Sequence, residues 1–210
     1  MKFRQDYYQN NPIDLSVRFL FCLWRNWFRL YNRIEVQGIE NIPKEGPLIV
    51  AANHISNADP MILCSFTGLV RRINIITKKE LKDIPLAGTY LGHAGSIFVD
   101  RQRGGGDLGA LRGSLQALKG GGCLVIFPEG TRVRDGKKSQ PKSGIGLLAH
   151  KSGAKVLPVR IFNSINCLKL GKIVLRYGST RTFDAPPGAD LKESYAGFSE
   201  TVMKDIFSIN

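Results

Sequence analysis

A histidine followed five residues later by an aspartate is the first feature of this sequence that suits acid–base chemistry. The segment NHISNADP places His54 directly after the apolar run at residues 48–52. Histidine exchanges a proton near neutral pH, and a carboxylate can fix which ring nitrogen carries that proton. We therefore predict that His54 is a general base and that Asp59 orients it. An ordinary loop histidine with its own hydrogen bonds is the alternative.

Other charged residues also follow predicted strands. The segment GSIFVDR ends with Arg101, and FPEGTR contains Glu129 and Arg132. A lysine pair, Lys78 and Lys79, follows the apolar segment RRINIIT. A guanidinium offers a planar fork of donors that suits phosphate, so we predict that the two arginines form a phosphate clamp. Either lysine would add a point charge. Taken singly, each arginine fits a surface or ion-pair residue better than a phosphate ligand, and only the residues together in this order favour the clamp.

Beyond Glu35, the elements that must position these side chains alternate between short strands and helices. Strands are predicted in IEVQGIENIP, GPLIVAANH, RRINIIT, GSIFVDR, GCLVIFPEG, KVLPVRIF and KIVLRYGS, and helices at 58–67, 107–119, 143–152 and 190–207. The segment PLAGTYLGHAG fits a helix or a loop. This alternation favours an α/β fold with a mixed, largely parallel sheet flanked by helices. Ligands bind beyond the carboxyl ends of such strands, where His54, Arg101 and Glu129 would meet.

Residues 14–34 predict an amphipathic helix that lies on a membrane surface and precedes the sheet. At about 100° per residue, large apolar side chains gather on one face and arginines on the other. The apolar face comprises Leu20, Leu23, Trp24, Trp27, Phe28, Leu30, Tyr31 and Ile34, and the basic face Arg18, Arg25, Arg29 and Arg33. The apolar run at 19–24 is far shorter than the roughly 20 residues that span a bilayer. Tryptophans beside arginines favour the lipid headgroup region. A helix packed on the core is the alternative.

The formal net charge of +13 at pH 7 implies an anionic partner, such as nucleic acid, a membrane surface or a phosphorylated substrate. No nucleic-acid reader motif is found, so we expect no nucleic-acid partner. The hydrophobic content of 43% excludes a disordered chain. The four cysteines lack metal-ligand spacing, so we expect reduced thiols and no metal site. We expect no signal peptide. Residues 104–109 match G-x-G-x-x-G but start too far beyond their strand for dinucleotide binding.

Four ordered blocks, spanning about half of the chain, resemble the 1-acylglycerol-3-phosphate (lysophosphatidate) acyltransferases, a family of glycerolipid acyltransferases. The blocks are Asn53-His54 with Asp59, Gly95 with Phe98 and Arg101, Phe127 to Arg132, and the apolar strand Val156 to Val159. The run KKEL at residues 78–81 is also similar to the family. Any single block would be weak support, whereas four in this order are specific.

The change of pattern beyond residue 34 predicts an N-terminal amphipathic membrane-association helix at residues 1–34 and an α/β domain at residues 35–210, which the resemblance makes the acyltransferase catalytic domain. The catalytic domain would transfer a fatty acyl group from acyl-CoA or acyl carrier protein to the free hydroxyl of a lysophospholipid. The default acceptor is 1-acylglycerol-3-phosphate, which gives phosphatidic acid. His54 would be the base and Asp59 its orienting group, and no cofactor or metal would be needed. Substrate binding is implied for Lys78, Lys79, Gly95, Phe98, Arg101, Glu129, Gly130, Thr131 and Arg132.

The implied location is the cytoplasmic face of the (inner) membrane, where a peripheral or monotopic enzyme meets an anionic lipid surface. Val133-Arg134 stands where many members have serine, so another lysolipid acceptor, such as a lyso-ornithine lipid, stays open. A non-catalytic module that binds anionic lipid is a further alternative, but it gives His54, Asp59 and Glu129 no role. A hydrolase that uses water in place of the alcohol is the third.

Overall fold

The structure is a computed structural model that describes residues 14–99, 106–133 and 140–210. In these ranges, seven strands form one sheet with helices on its faces. The strands are β1 (Glu35–Gln37), β2 (Leu48–Ala52), β3 (Ile73–Lys78), β4 (Ser96–Val99), β5 (Cys123–Ile126), β6 (Lys155–Phe162) and β7 (Val174–Tyr177). The α-helices are α1 (Leu15–Leu30), α2 (Asp59–Val70), α3 (Ala87–His93), α4 (Gly106–Lys119), α5 (Gly144–Ser152) and α6 (Leu191–Ser208).

The strand order is β1-β7-β6-β2-β5-β3-β4. The strands from β6 to β4 in this order run parallel, whereas β7 runs antiparallel to β6 and pairs in parallel with β1. The prediction of a mixed, largely parallel sheet flanked by helices is therefore confirmed. The carboxyl ends of β2, β3, β4 and β5 lie at one edge, called the site edge below, at Ala52, Lys78, Val99 and Ile126.

The central strand β2 separates two hydrophobic cores. Its side chains have no exposed surface, and they point alternately to the two faces of the sheet. Leu48 and Val50 join the core beneath α1 and α2, whereas Ile49 and Ala51 join the core beneath α5 and α6. Both faces of this strand are buried, which explains why its sequence is a continuous apolar run instead of an alternating one.

Helix α1 packs against the core through a different face from the one that the sequence predicts. Val17, Phe21 and Phe28 are buried and face α2, where an added Cβ at Gly68 would lie 2.7 Å from the Phe21 ring. Trp24 also packs against this core. The expectation that Trp24 and Phe28 belong to a membrane-facing surface is wrong, because close packing of α1 on α2 takes them inward. The division of the chain at residue 34 stays a prediction.

A second apolar surface of α1 is left in contact with solvent. Its side chains, called the exposed stripe below, are Leu15 (83% exposed), Phe19 (66%), Leu23 (49%), Trp27 (51%) and Leu30 (83%). The basic side chains of Arg18 and Arg29 are exposed as well. Asp14 caps the amino end of the helix, because its carboxylate accepts a hydrogen bond from the backbone N–H of Ser16 at 2.9 Å. In the described part of the chain, we find no helix with the length and apolar character needed to cross a bilayer.

Candidate active site

The predicted base and its carboxylate are in contact at the site edge. His54 lies just past β2, and Asp59 is the first residue of α2. The Nδ1 atom of His54 lies 2.9 Å from Oδ2 of Asp59. The histidine side chain is 17% exposed and the aspartate side chain is fully buried. The ring can therefore meet a substrate while the carboxylate that orients it stays out of water.

The Asp59 carboxylate is held by several donors. Its Oδ2 atom also accepts the backbone N–H groups of Ile55 at 2.8 Å and Ser56 at 2.7 Å. Its Oδ1 atom accepts the hydroxyl of Ser164, a fully buried residue. A carboxylate with this many donors cannot rotate without losing hydrogen bonds, so the position of the His54 ring is fixed. The role of Ser164 was not predicted from the sequence, because 105 residues separate it from Asp59 and no local pattern marks it.

The second ring nitrogen of His54 is available to a substrate. The ring stacks on Phe127, with centroids 4.1 Å apart and planes inclined by 20°. Among the described residues, Nε2 of His54 has no hydrogen-bond partner. A carboxylate can accept but not donate, so Nδ1 carries the proton and Nε2 keeps a free lone pair. That lone pair is what a general base needs.

Glu129 supports the backbone of His54. Its Oε1 atom accepts the backbone N–H of His54 at 3.2 Å, and the N–H of Val133 donates to the His54 carbonyl at 2.8 Å. Both ends of the histidine backbone are thus tied to the segment after β5. The Glu129 side chain is buried, its Oε2 atom has no partner in the described structure, and this burial raises its pKa. We interpret Glu129 as a buried acid that positions His54.

The turn that carries Glu129 depends on a glycine. The N–H of Gly130 donates to the Phe127 carbonyl at 3.0 Å, and Gly130 has a φ of 70°, which glycine adopts without strain. Thr131 follows and is exposed. The side chain of Lys142 crosses this turn, because an added Cβ at Gly130 would lie 2.9 Å from its Cε atom. Lys142 is a cation near the site that the sequence analysis missed, since it lies outside the FPEGTR block.

The predicted phosphate-binding side chains are solvent-exposed. Lys78 is the last residue of β3, and Lys79 follows at the start of a 3₁₀ turn. Arg132 is exposed and directly precedes Val133, whose N–H bonds His54, so it lies beside the site. Arg101 lies outside the described residues. The structure therefore brings Lys78 and Arg132 to the site edge, and the phosphate clamp stays a prediction.

One implied site residue lies far from this edge. Gly95 precedes β4, so it lies at the amino ends of the parallel strands, opposite the site edge. Its φ is 88°, and an added Cβ would lie 2.5 Å from the Ile73 carbonyl oxygen. The implied substrate-binding role of Gly95 is therefore corrected: this position needs glycine for backbone conformation and close approach. Phe98 lies within β4, paired with Thr77 and half-buried.

Two further residues at the site edge were missed by sequence reasoning or left without a role. The Asn53 side chain donates to the Ile161 carbonyl at 2.9 Å and accepts its N–H at 2.7 Å, which joins β2 to β6. Arg160 is a neighbour of Ile161 on β6, and its charge interacts with that of Glu129. Burial lowers the pKa of Arg160. A basic residue inside an otherwise apolar strand was the signal that could have identified Arg160.

Two of the cysteines are buried thiols that are not set up as nucleophiles. Cys64 and Cys123 are buried, and desolvation raises the pKa of each thiol to about 12. The described residues also contain no cluster of histidine, cysteine and acidic side chains able to hold a metal ion.

The sequence comparison assigns this fold and site to a class. A family model described as Acyltransferase matches residues 33–162, and the chain belongs to that family. It is 35% identical to a 1-acyl-sn-glycerol-3-phosphate acyltransferase of Borreliella burgdorferi, over 64% of this chain and 53% of that protein. It is 32% identical to the enzyme of the same name from Pseudomonas aeruginosa, over 66% of this chain and 53% of the relative. The chain thus spans about half the length of these curated relatives.

A solved structure agrees with the fold. The 1-acyl-sn-glycerophosphate (LPA) acyltransferase PlsC from Thermotoga maritima superposes with a TM-score of 0.70 at 30% identity, covering 90% of this chain and 76% of that one. The resemblance read from the sequence blocks is therefore confirmed at the level of family and fold. The histidine, the carboxylate and the FPEGTR turn all lie within the matched residues.

Proposed function

We propose that this protein transfers a fatty acyl group from an acyl thioester to the free hydroxyl of a lysophospholipid. The observation that carries the proposal is the pair of His54 and Asp59, with Nδ1 bonded to the carboxylate and Nε2 open to a substrate. Family membership and the names of the relatives support 1-acylglycerol-3-phosphate as the acceptor, with phosphatidic acid as the product. The donor is acyl-CoA or acyl carrier protein.

The proposed reaction is a direct transfer. Nε2 of His54 takes the proton of the acceptor hydroxyl as that oxygen attacks the thioester carbonyl. The new carbon–oxygen bond forms, the carbon–sulfur bond breaks, and the imidazolium returns its proton to the leaving sulfur. Asp59 stabilises the imidazolium and holds the ring. The buried thiols of Cys64 and Cys123 are protonated at neutral pH, because their pKa values are about 12, so neither is acylated.

Acceptor binding is proposed to use the exposed cations beside the base. Lys78 and Arg132 lie at the site edge, and Lys142 lies over the turn that carries Glu129. A phosphate held by these groups would bring the neighbouring hydroxyl of the same molecule to Nε2 of His54. Fixing a substrate in this way makes attack effectively intramolecular, which is a large part of enzymatic rate enhancement. Arg101 is assigned to the same group from the sequence pattern alone.

We also propose that the exposed stripe of α1 lies in the membrane surface. Lysophospholipids and their acylated products reside in bilayers, and the stripe offers large apolar side chains next to Arg18 and Arg29. Apolar burial and arginine–phosphate attraction together favour the headgroup region of an anionic leaflet. The location that follows is peripheral, on the cytoplasmic face of the (inner) membrane.

An acyl-transfer assay tests the proposed function. Radiolabelled acyl-CoA and acyl carrier protein are each offered with a panel of acceptors, including 1-acylglycerol-3-phosphate and a lyso-ornithine lipid. We expect labelled phosphatidic acid from wild type and none above background from His54→Ala. Labelled free fatty acid without labelled lipid would instead identify a hydrolase. Lipid binding with no turnover of either donor would identify a non-catalytic module.

Vesicle sedimentation tests the proposed membrane surface. Leu23→Ser with Trp27→Ser removes two members of the exposed stripe and leaves the buried face of α1 unchanged. We expect the double variant to lose most of its binding to vesicles of phosphatidylglycerol. Its melting temperature should equal that of wild type, which shows that the fold is intact. Leu191→Ser, at an exposed position on α6 across the sheet, is the matched control. Equal binding by all three proteins would show that the stripe does not meet lipid.

A further inference from the structure

The connection between β6 and β7 is a compact loop, called the 163–172 loop below. The Asn163 side chain donates to the Lys172 carbonyl at 2.8 Å, which ties the two ends of the loop together. Inside it, the N–H of Lys169 donates to the Asn166 carbonyl at 2.9 Å. An added Cβ at Gly171 would lie 2.9 Å from the Asn166 Cβ, so the interior is closely packed. These are the features of an Ω loop, a class of surface loop that is frequently functional.

The outside of this loop is apolar. Ile165 is 55% exposed, Leu168 is 78% exposed and Leu170 is 66% exposed. Leu170 also has a φ of 54°, a conformation that a leucine rarely adopts. The rest of the loop therefore holds the Leu170 backbone in a left-handed conformation that leucine does not favour by itself. A loop with bonded polar groups inside and leucines outside is organised for an apolar partner.

The loop continues the apolar surface of α1. Trp27, in the exposed stripe, stacks on Tyr31 with ring centroids 4.6 Å apart. The hydroxyl of Tyr31 donates to the Leu168 carbonyl at 2.8 Å, and the Asn32 side chain donates to the Cys167 carbonyl at 2.9 Å. These contacts fix the loop against the end of α1. The exposed stripe and the 163–172 loop are therefore neighbouring parts of one surface.

The charges around this surface are complementary to an anionic lipid layer. Lys169 is exposed within the loop, and Arg29 and Arg33 are exposed at the end of α1. The carboxylate of Glu35, on the adjoining strand β1, is paired with Lys172 at 2.8 Å. Apolar side chains surrounded by cations fit lipid headgroups with acyl chains below them.

The same loop supplies a hydroxyl to the catalytic carboxylate. Ser164 is the second residue of the loop, and its side chain donates to Oδ1 of Asp59. Both residues are fully buried. Asp59 in turn holds Nδ1 of His54 at 2.9 Å. One short path of hydrogen bonds thus connects the apolar loop to the base.

We propose that the 163–172 loop is a second contact with the lipid surface and that it reports this contact to the His54–Asp59 pair through Ser164. The inference deepens the proposed function and rests on it, because a rate effect requires that the pair catalyse transfer. Lipid around Leu168 and Leu170 favours the loop conformation seen here, in which Ser164 reaches Asp59. A lipid surface that binds this conformation better shifts the enzyme toward it. In this way the enzyme is most active where its substrate resides.

The first experiment measures lipid contact without reference to activity. Leu168→Ser with Leu170→Asn removes both leucines, and asparagine tolerates the left-handed backbone at position 170. Vesicles of phosphatidylcholine and phosphatidylglycerol in equal parts are sedimented with wild type, this double variant and the Leu191→Ser control. We expect the double variant to bind on the order of 10-fold more weakly, since two large apolar groups no longer leave water. Unchanged vesicle binding by the double variant would overturn the lipid contact, and a lower mass of that variant than of wild type on gel filtration would then assign the leucines to contact between copies of this chain.

The second experiment measures the coupling. Turnover is followed with a short-chain acceptor that is dissolved in water, with and without vesicles that carry no substrate. We expect vesicles to raise kcat of wild type severalfold and to leave the Leu168→Ser, Leu170→Asn variant at its vesicle-free rate. A wild type without this response, or a double variant with the full response, would overturn the coupling.

Ser164 itself is tested as a positioning residue. Ser164→Ala should lower kcat in both conditions and leave the acceptor KM and vesicle binding near wild type. Ser164→Thr, which keeps the hydroxyl, should recover much of that loss. A thermal melt of each variant shows whether the fold is intact. Equal kcat for wild type and a folded Ser164→Ala would exclude the hydroxyl from the path.

The two proposals fail in different ways. If no acceptor or donor gives transfer while the leucine variant still loses vesicle binding, the proposed function is wrong and the lipid contact stands. If wild type transfers acyl groups while the leucine variant binds vesicles normally, the proposed function stands and the role of the loop is wrong.

Discussion

The two sides of the candidate site are built differently. On one side, Asp59 is fully buried and accepts hydrogen bonds from His54, from two backbone N–H groups and from Ser164. On the other side, Lys78 and Arg132 extend into solvent. In the proposed function, the buried pair must hold one geometry for proton transfer, whereas the exposed cations need only attract a phosphate. The fold therefore fixes the geometry of the His54–Asp59 pair through buried hydrogen bonds, whereas it leaves the side chains of Lys78 and Arg132 in solvent.

Removal of the base gives the sharpest test of the buried side. His54→Ala should reduce transfer by on the order of 10²–10⁴-fold, the contribution of a positioned general base. Turnover with saturating donor and acceptor is the measurement. His150→Ala, an exposed histidine on α5 whose ring bonds Tyr195, is the matched control. Near-normal turnover by a folded His54→Ala protein would end the proposed mechanism.

Loss of the orienting carboxylate is expected to have the next largest effect. Asp59→Asn keeps the shape but removes the obligate acceptor for Nδ1, so the ring can carry its proton on Nε2 instead. We expect kcat to fall by about 10²-fold and the double variant with His54→Ala to be no worse than His54→Ala alone. Effects that multiply in the double variant would show that the two residues do not act as a unit.

The exposed side should respond more weakly and in a different parameter. Arg132→Ala and Lys78→Ala should each raise the acceptor KM by about 10-fold, as expected for one lost contact with a charged group, and change the donor KM little. Lys155→Ala is the control, because this exposed lysine starts β6 at the opposite edge of the sheet. A rise in the donor KM alone would assign these cations to the donor.

The smallest predicted effect concerns stability. Burial raises the pKa of Glu129 above the ordinary glutamate value of 4.5, so its ionisation destabilises the fold as the pH rises through the raised pKa. Glu129→Gln removes that cost and keeps an acceptor for the His54 N–H. We expect a Tm above wild type at neutral pH, by about 2–4 °C for each kcal/mol regained.

The pH dependence of the Tm difference tests whether the ionisation of Glu129 is its cause. Below the ordinary value of 4.5, Glu129 is protonated in both the folded and the unfolded chain, so wild type and Glu129→Gln should melt together. Paired melting curves at neutral and acidic pH measure this difference. A variant that is less stable than wild type at neutral pH would show that the charged glutamate stabilises the site through His54.

Local sequence was enough to predict the contact between His54 and Asp59. His54 and Asp59 are five residues apart, and the intervening turn brings them together, since the N–H groups of Ile55 and Ser56 both donate to the aspartate. The FPEGTR turn is local for the same reason: its glycine closes a turn within the block. Contacts of this range are encoded in neighbouring residue types, so the sequence predicts them.

Distant contacts were not predictable in this way. Ser164 reaches Asp59 only because β6 is the parallel neighbour of β2, and Lys142 reaches Gly130 only because α5 starts near the turn. Gly95 shows the opposite error. It belongs to the same sequence block as Arg101, a proposed phosphate-binding residue. However, β4 lies between the two, so Gly95 is at the amino end of the strand, away from the site edge.

Helix α1 shows most clearly how far the structure can be predicted from the sequence. Its sequence alone determined that the segment is helical and amphipathic, since apolar residues recur with the helical period. It also determined the basic charge of the chain and the order of the four blocks. Only the tertiary structure decided which apolar side chains pack on α2 and which form the exposed stripe. Both sets have the same hydrophobicity, and the partner surface that distinguishes them, with Gly68 at its centre, lies elsewhere in the chain.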